Sequence, residues 1–139
     1  MHGVGQVADS LQADAVHGRR GGVAGGQPFI VEINPNAMVS RYEDIGFHAI
    51  GSGAPMAQQA GALLANYRMQ ERSVAYGVLA AVRVLDALSD TSPSVGGPLD
   101  VARITPDGAD HLTDDEISEV RQDVTRWVDA EHRVLDRIY

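Results

Sequence analysis

His48 and Ser52 are four residues apart on a run that reads as a strand, which sets both side chains on one face and makes a Ser-His pair geometrically conceivable. A serine-hydrolase elbow would need glycine two residues before the serine, and Ile50 stands there, so Ser52 reads as a poor nucleophile and His48 as a strand-edge histidine. Gly51-Ser52-Gly53 ahead of a helix could offer free N–H groups to an anion, although such glycines more often only make the turn. The five histidines lack the i, i+4 pairing that plants two ligands on one helix face, and there is no cysteine, so no metal and no cofactor is expected. Asp114, Asp115 and Glu116 cluster at a helix start, where capping accounts for them without a cation. Asp107 beside Gly108 reads as a turn residue rather than an acid catalyst. Every basic side chain is an arginine, so chemistry that needs a lysine is outside this chain's own means.

These residues need a body to hold them, and 139 residues suffice for one domain that buries roughly two thirds of the surface of its unfolded chain. A hydrophobic fraction of 44% and a charged fraction of 22% are those of an ordinary folded protein. The formal charge of -8 argues against nucleic acid, whose binders need a basic face to displace counterions. No apolar run approaches the roughly 20 residues that cross a bilayer, and the start lacks signal-peptide character, so a cytoplasmic protein with no membrane partner is expected.

The elements follow from pattern. Residues 1–22 are glycine-rich and weakly periodic, and read as a weakly structured segment before an α+β domain over 23–139. Residues 28–33 read as a strand, Asn34-Pro35-Asn36 as a turn, and 39–43 and 47–50 as further short strands. Residues 54–67 are rich in alanine, glutamine and leucine, with Pro55 where a missing N–H costs nothing, and predict a helix. Residues 73–88 place Val74, Val78, Ala81, Val82, Leu85 and Leu88 on one face, while Ala75, Leu79 and Val84 extend the apolar surface nearly around the cylinder. Such a helix must be covered on more than one side.

A loop over 90–97, a strand over 98–104, a Pro106-Asp107-Gly108 hairpin turn and a return strand over 109–112 come next. Thr113-Asp114-Asp115-Glu116 is a capping box, with both aspartates favourable at the positive end of the helix dipole. Ile117, Val120, Val124, Trp127, Val128, Leu135 and Ile138 then line one side of a long amphipathic helix, with Trp127 as its anchor to the body.

Taken in order, Phe29-Ile30-Val31-Glu32-Ile33, Gly46-Phe47-His48-Ala49-Ile50-Gly51-Ser52-Gly53, a helix pair, Gly96-Gly97-Pro98-Leu99-Asp100-Val101-Ala102-Arg103-Ile104 and Asp107-Gly108 resemble the second half of a proteasome-type subunit. The resemblance covers residues 23–112, with a compatible helix after it. It implies an αββα sandwich of the N-terminal-nucleophile hydrolases, ring assembly with other proteasome-type subunits or with itself, and kinship with threonine-type endopeptidases. That family uses a threonine exposed at the start of the mature chain, a supporting acid and a lysine, all in the first half of its fold. Here no threonine precedes Thr91 and no lysine occurs, so no catalytic residue carries over. The supporting positions do: Ser52 matches the serine near the nucleophile's amine, Asp90 the aspartate of the loop beneath it, and Ser94, displaced by Ser92-Pro93, the serine that follows.

Supporting residues without the nucleophile and its lysine cannot perform acyl transfer. The sequence therefore reads as a subunit inactive alone, either begun too late in its gene, the favoured expectation, or kept for assembly. Missing strands would leave bare edges and apolar faces that oligomerise, aggregate or bind a complementary half. The alternative is a non-catalytic acidic interaction module that docks through the apolar helix of residues 73–88.

Overall fold

The computed structural model describes residues 15–17, 28–33, 36–42, 47–68, 72–91, 96–105 and 107–139. Nearly all of the 1–22 segment, Asn34-Pro35, Gly46 and Ser94 lie outside the described residues. Among those residues the chain is α+β: strands β1 (Ala15–His17), β2 (Pro28–Ile33) and β3 (Val39–Arg41), helices α1 (Ala54–Leu64) and α2 (Val74–Thr91), strands β4 (Ala102–Thr105) and β5 (Gly108–His111), and helix α3 (Asp114–Ile138). All strand pairs are antiparallel. The first half of β2 pairs with β1, Phe29 opposite Val16, and its second half with β3, Glu32 opposite Ser40. The β4–β5 hairpin sets Arg103 opposite Asp110 and closes at Thr105 and Gly108, whose φ of 138° explains the glycine.

The helices form where local signals are strongest. Gly51, at φ 96°, turns the chain into α1, with the Ala54 N–H donating to the Gly51 carbonyl at 3.1 Å. A 3₁₀ turn, Ala65–Tyr67, ends that helix, and Arg68 in the left-handed region stops it. Thr113 caps α3 as the sequence predicts: its hydroxyl accepts from the Glu116 N–H at 3.2 Å, and the Glu116 carboxylate accepts from the Thr113 N–H at 2.7 Å.

Helix α2 is the centre of the molecule, and its surface is divided between two clusters. Val84, Leu85 and Leu88 pack with Ala49 and Ala57, against Phe47, Ala60 and Leu64. The start and the end of α1, from Ala57 to Leu64, both belong to this cluster, so the whole of α1 packs with the second half of α2. Val78 and Val82 pack with Val101, Leu112, Ile117 and Val124, which brings in α3 and the hairpin. Leu99 touches both clusters and joins them. The apolar surface over 73–88 is thus covered internally on two sides from Val78 onward, while Val74 and Tyr76 at its start stay exposed.

Three expectations are corrected. Residues 47–50 form no strand: Phe47 lies on Gly61 of α1 and the Ala49 carbonyl accepts from Gln58, so these groups face a helix and not a ladder. Helix α2 runs on to Thr91, so Asp90 belongs to its last turn and not to a loop. The hydroxyls of Ser89 and Thr91 donate back to the Leu85 and Ala87 carbonyls at 3.0 and 2.9 Å, one turn earlier in the helix. Residues 98–101 precede the ladder rather than joining it, since Pro98 lacks a donor; only the Val101 carbonyl, accepting from the Leu112 N–H at 2.9 Å, extends the hairpin.

Candidate functional site

The segment after β3 carries the one buried polar side chain among the described residues. His48 is 5% exposed and held from three directions. Its Nε2 bonds the Glu32 carboxylate on β2, and its Nδ1 accepts from Gln58 Nε2 on α1 at 3.1 Å. The Tyr42 ring stacks on the imidazole, centroids 3.6 Å apart and planes 15° from parallel. Gln58 Nε2 also faces the Ala49 carbonyl at 3.4 Å, and a carbonyl only accepts, which places the amide nitrogen on this side. His48 therefore carries its proton on Nε2 and gives it to Glu32 in a hydrogen bond.

This arrangement answers the Ser-His question. Both imidazole nitrogens are occupied, so His48 has no lone pair to offer a nucleophile. Ser52 is exposed on the Gly51–Gly53 turn, and among the described residues no hydrogen bond joins it to His48 or Asp90. Asp90 is exposed on the last turn of α2. Ser94 lies outside the described residues. Of the three supporting positions, the described residues thus include Ser52 and Asp90, which share no hydrogen bond. No group of three or more His, Cys, Asp or Glu residues there could hold a metal ion, and no helix there is long and apolar enough to cross a membrane.

The turn itself is closed on the helix side. The Ala54 N–H bonds Gly51, Pro55 has no N–H, and the Ala57 N–H donates to the Gly53 carbonyl at 2.9 Å. The glycines make the bend, and at the helix start the Ala54 and Ala57 donors are in use while Pro55 has none.

A second constellation lies where α2, α3 and the 3₁₀ turn meet, and pattern reading finds only its tryptophan. Arg83 donates to both oxygens of Glu131, Nη1 to Oε1 at 2.9 Å and Nη2 to Oε2 at 2.5 Å. The Tyr67 hydroxyl donates to Oε1 at 2.9 Å. Arg83 Cζ lies 4.0 Å over the Trp127 ring, and Tyr67 meets that ring edge-on, centroids 5.2 Å apart. The paired Arg83 hydrogen bonds hold the Glu131 carboxyl far below the usual carboxylate range, down to about 2, with Tyr67 and Trp127 adding to the effect against partial burial. The same bonds raise Arg83. Arg121 grips Asp86 of α2 through Nε and Nη2, at 3.2 and 3.0 Å. One signal for this was visible: Arg83 and Asp86 are charged residues interrupting an otherwise apolar run. Their partners, 48 and 35 residues away, were not.

These groups tie one element of the fold to another. Among the described residues the buried polar side chain, His48, has its partners inside the chain, and neither constellation leaves a free base beside a free nucleophile. Compared with known proteins, the chain matches no family model, no curated protein and no solved structure.

Proposed function

We propose that this chain is an assembly subunit of the proteasome type, built on the second half of that αββα fold, which cuts no peptide bond by itself. The observation that carries the reading is the order of elements around the Gly51-Ser52-Gly53 turn: short strands, the turn, a packed helix pair, a glycine turn with Gly97 at φ 93°, a hairpin and a terminal helix. The sequence resemblance has the same order, except that it runs a strand into the Gly51-Ser52-Gly53 turn and begins another at residue 98, where residues 47–50 and 98–101 form none. The chemistry of the chain agrees with a supporting role, since it contains no lysine, Ser52 has no base beside it and His48 is engaged on both nitrogens.

The β2–β3 sheet adds a surface suited to neighbours. Ile33 is 68% exposed, Met38 and Val39 each 62%. Large side chains left bare on short paired strands suit a partner chain better than solvent. The partners in this reading are other proteasome-type subunits or further copies of the chain, with peptide as substrate of the completed particle only.

The test is co-expression with catalytic proteasome-type subunits followed by native mass measurement and fluorogenic peptide assay. The chain should enter a large particle, and alone it should hydrolyse nothing. Hydrolysis by the purified chain that Ser52→Ala abolishes would refute the non-catalytic role, and persistent exclusion from such particles would refute the assembly role.

A further inference from the structure

A groove of about 640 Å³ opens between the start of α2, the β4–β5 hairpin and the first half of α3. Its floor is apolar, with Val78, Leu79, Leu112 and Val120, and its rim is acidic, with Asp110, Glu116, Glu119 and Asp123. Arg103 is the only cation among the lining residues, and it is already bonded to Asp110 and 4.0 Å from Glu116. Glu119 has no ion-pair partner among the described residues. The groove suits an occupant that is apolar along one side and positively charged beside it.

The other end of α3 has those properties. The apolar stripe of this helix is covered by α2 as far as Val124 and Val128, and then it runs on bare: Val134 is 51% exposed, Leu135 53% and Ile138 65%. Arg133 and Arg137 flank the bare turns, exposed and without a carboxylate partner among the described residues. Val134 and Ile138 also continue the helix face of Glu116 and Val120, since they follow at multiples of about 3.6 residues. A continuous helix cannot fold back on itself, and Val134 stands about 22 Å along α3 from Glu119 at 1.5 Å per residue. The bare turns cannot reach their own groove.

We infer that residues 134–138 of one copy seat in the groove of a second copy, with Val134, Leu135 and Ile138 on the apolar floor and Arg137 against Glu119, since Asp123 is already paired with Arg126 at 2.6 Å. The inference builds on the assembly reading by naming a self-contact. Groove and tail are different surfaces, so one-way docking adds copies head to tail, and closure gives a ring; reciprocal docking gives a two-fold pair. Both use the same contact.

Sedimentation velocity over a concentration series tests this with three variants of the full chain: Arg137→Glu, Glu119→Arg and the two combined. All changes are at exposed positions, and circular dichroism of each variant checks that the helices persist. The wild type should self-associate, more weakly as salt rises. Each single reversal should weaken association roughly tenfold or more, as close interfacial charge pairs do, and the combined swap should restore much of the loss. Ile138→Asp should weaken association without rescue by the swap. A wild type that remains monomeric throughout, or single reversals that leave association unchanged, would overturn the contact. Co-assembly with catalytic subunits is read separately, so either result can fail while the other stands.

Discussion

Arg83 and Glu131 hold α2 and α3 together through two parallel hydrogen bonds, with the Trp127 ring beneath the guanidinium and the Tyr67 hydroxyl on the same carboxylate. Four side chains from three elements thus satisfy one another at the crossing of the two longest helices. A bidentate arginine-carboxylate pair is fixed in angle as well as distance, so it sets how the helices cross where apolar packing alone would allow slippage.

The pH dependence of stability follows from this pair. Glu131 titrates at about 2 in the folded chain, depressed chiefly by the Arg83 hydrogen bonds, against 4.5 for the ordinary group. A depressed carboxylate stabilises the fold above its unfolded value and loses that contribution as pH falls from about 4.5 towards 2. Because the carboxylate is 35% exposed, solvent screening reduces the contribution to about 1 kcal/mol. Thermal unfolding of the wild type and Glu131→Gln at a series of pH values should show their difference shrinking through that window. A difference that stays constant down to pH 2 would contradict the assignment.

His48 should behave as a structural residue and Ser52 as a solvent-facing one. Replacing His48 with leucine leaves the Glu32 carboxylate and the Gln58 amide without their shared partner, at a cost of about 2 kcal/mol. Ser52→Ala should stay within about 0.5 kcal/mol of the wild type, as surface substitutions do. Chemical denaturation measures both, and the reverse ranking would mean that the turn, not the histidine, organises this region. Long-range proton-nitrogen spectra should also find the His48 ring protonated on Nε2.

Gly61 should tolerate no larger residue. A Cβ at this position would overlap the Phe47 ring, which lies directly on the glycine. Alanine ordinarily favours a helix by about 1 kcal/mol over glycine, so two effects oppose each other. The overlap is with a ring packed into the cluster of Ala49, Ala57 and Leu85, and overpacking of this kind costs about 1–3 kcal/mol. Gly61→Ala should therefore lower the melting temperature, and Phe47→Leu in the same chain should recover part of the loss. A stabilised Gly61→Ala variant would show that Phe47 sits elsewhere.

Thr113→Ala should cost about 1 kcal/mol, because the Glu116 N–H loses its acceptor at the start of the helix. Thr113→Ser should cost much less. Hydrogen exchange in the first turn of α3 should rise in the alanine variant while exchange around Trp127 stays slow. Equal protection in both variants would show that tertiary packing alone sets the helix start.

Some of this molecule was written locally. The capping box of Thr113 and Glu116, the alanine-rich stretch after Pro55, the two-sided apolar run from Val74 and the Gly108 turn each depend on residues within a few positions of one another. Their elements appear where the pattern places them, and they make the chain α+β. Strand reading was weaker over 47–50 and 98–101, because a short run of apolar residues looks the same whether it pairs with a strand or lies on a helix.

Other features required the chain to fold. His48 could be read as a strand-edge base until β2 supplied Glu32 and α1 supplied Gln58, each closing one nitrogen. Arg83 and Asp86 were visible as charges in an apolar helix, yet their partners Glu131 and Arg121 lie on a helix whose own periodicity explains it without them. Asp90 passed from loop to helix because α2 runs on to Thr91, past the last residue of its apolar pattern, Leu88. Periodicity and capping act over one or two turns and are therefore legible in order along the chain. The partner of a buried polar group is chosen by which surfaces meet after collapse, and only the tertiary structure decides that.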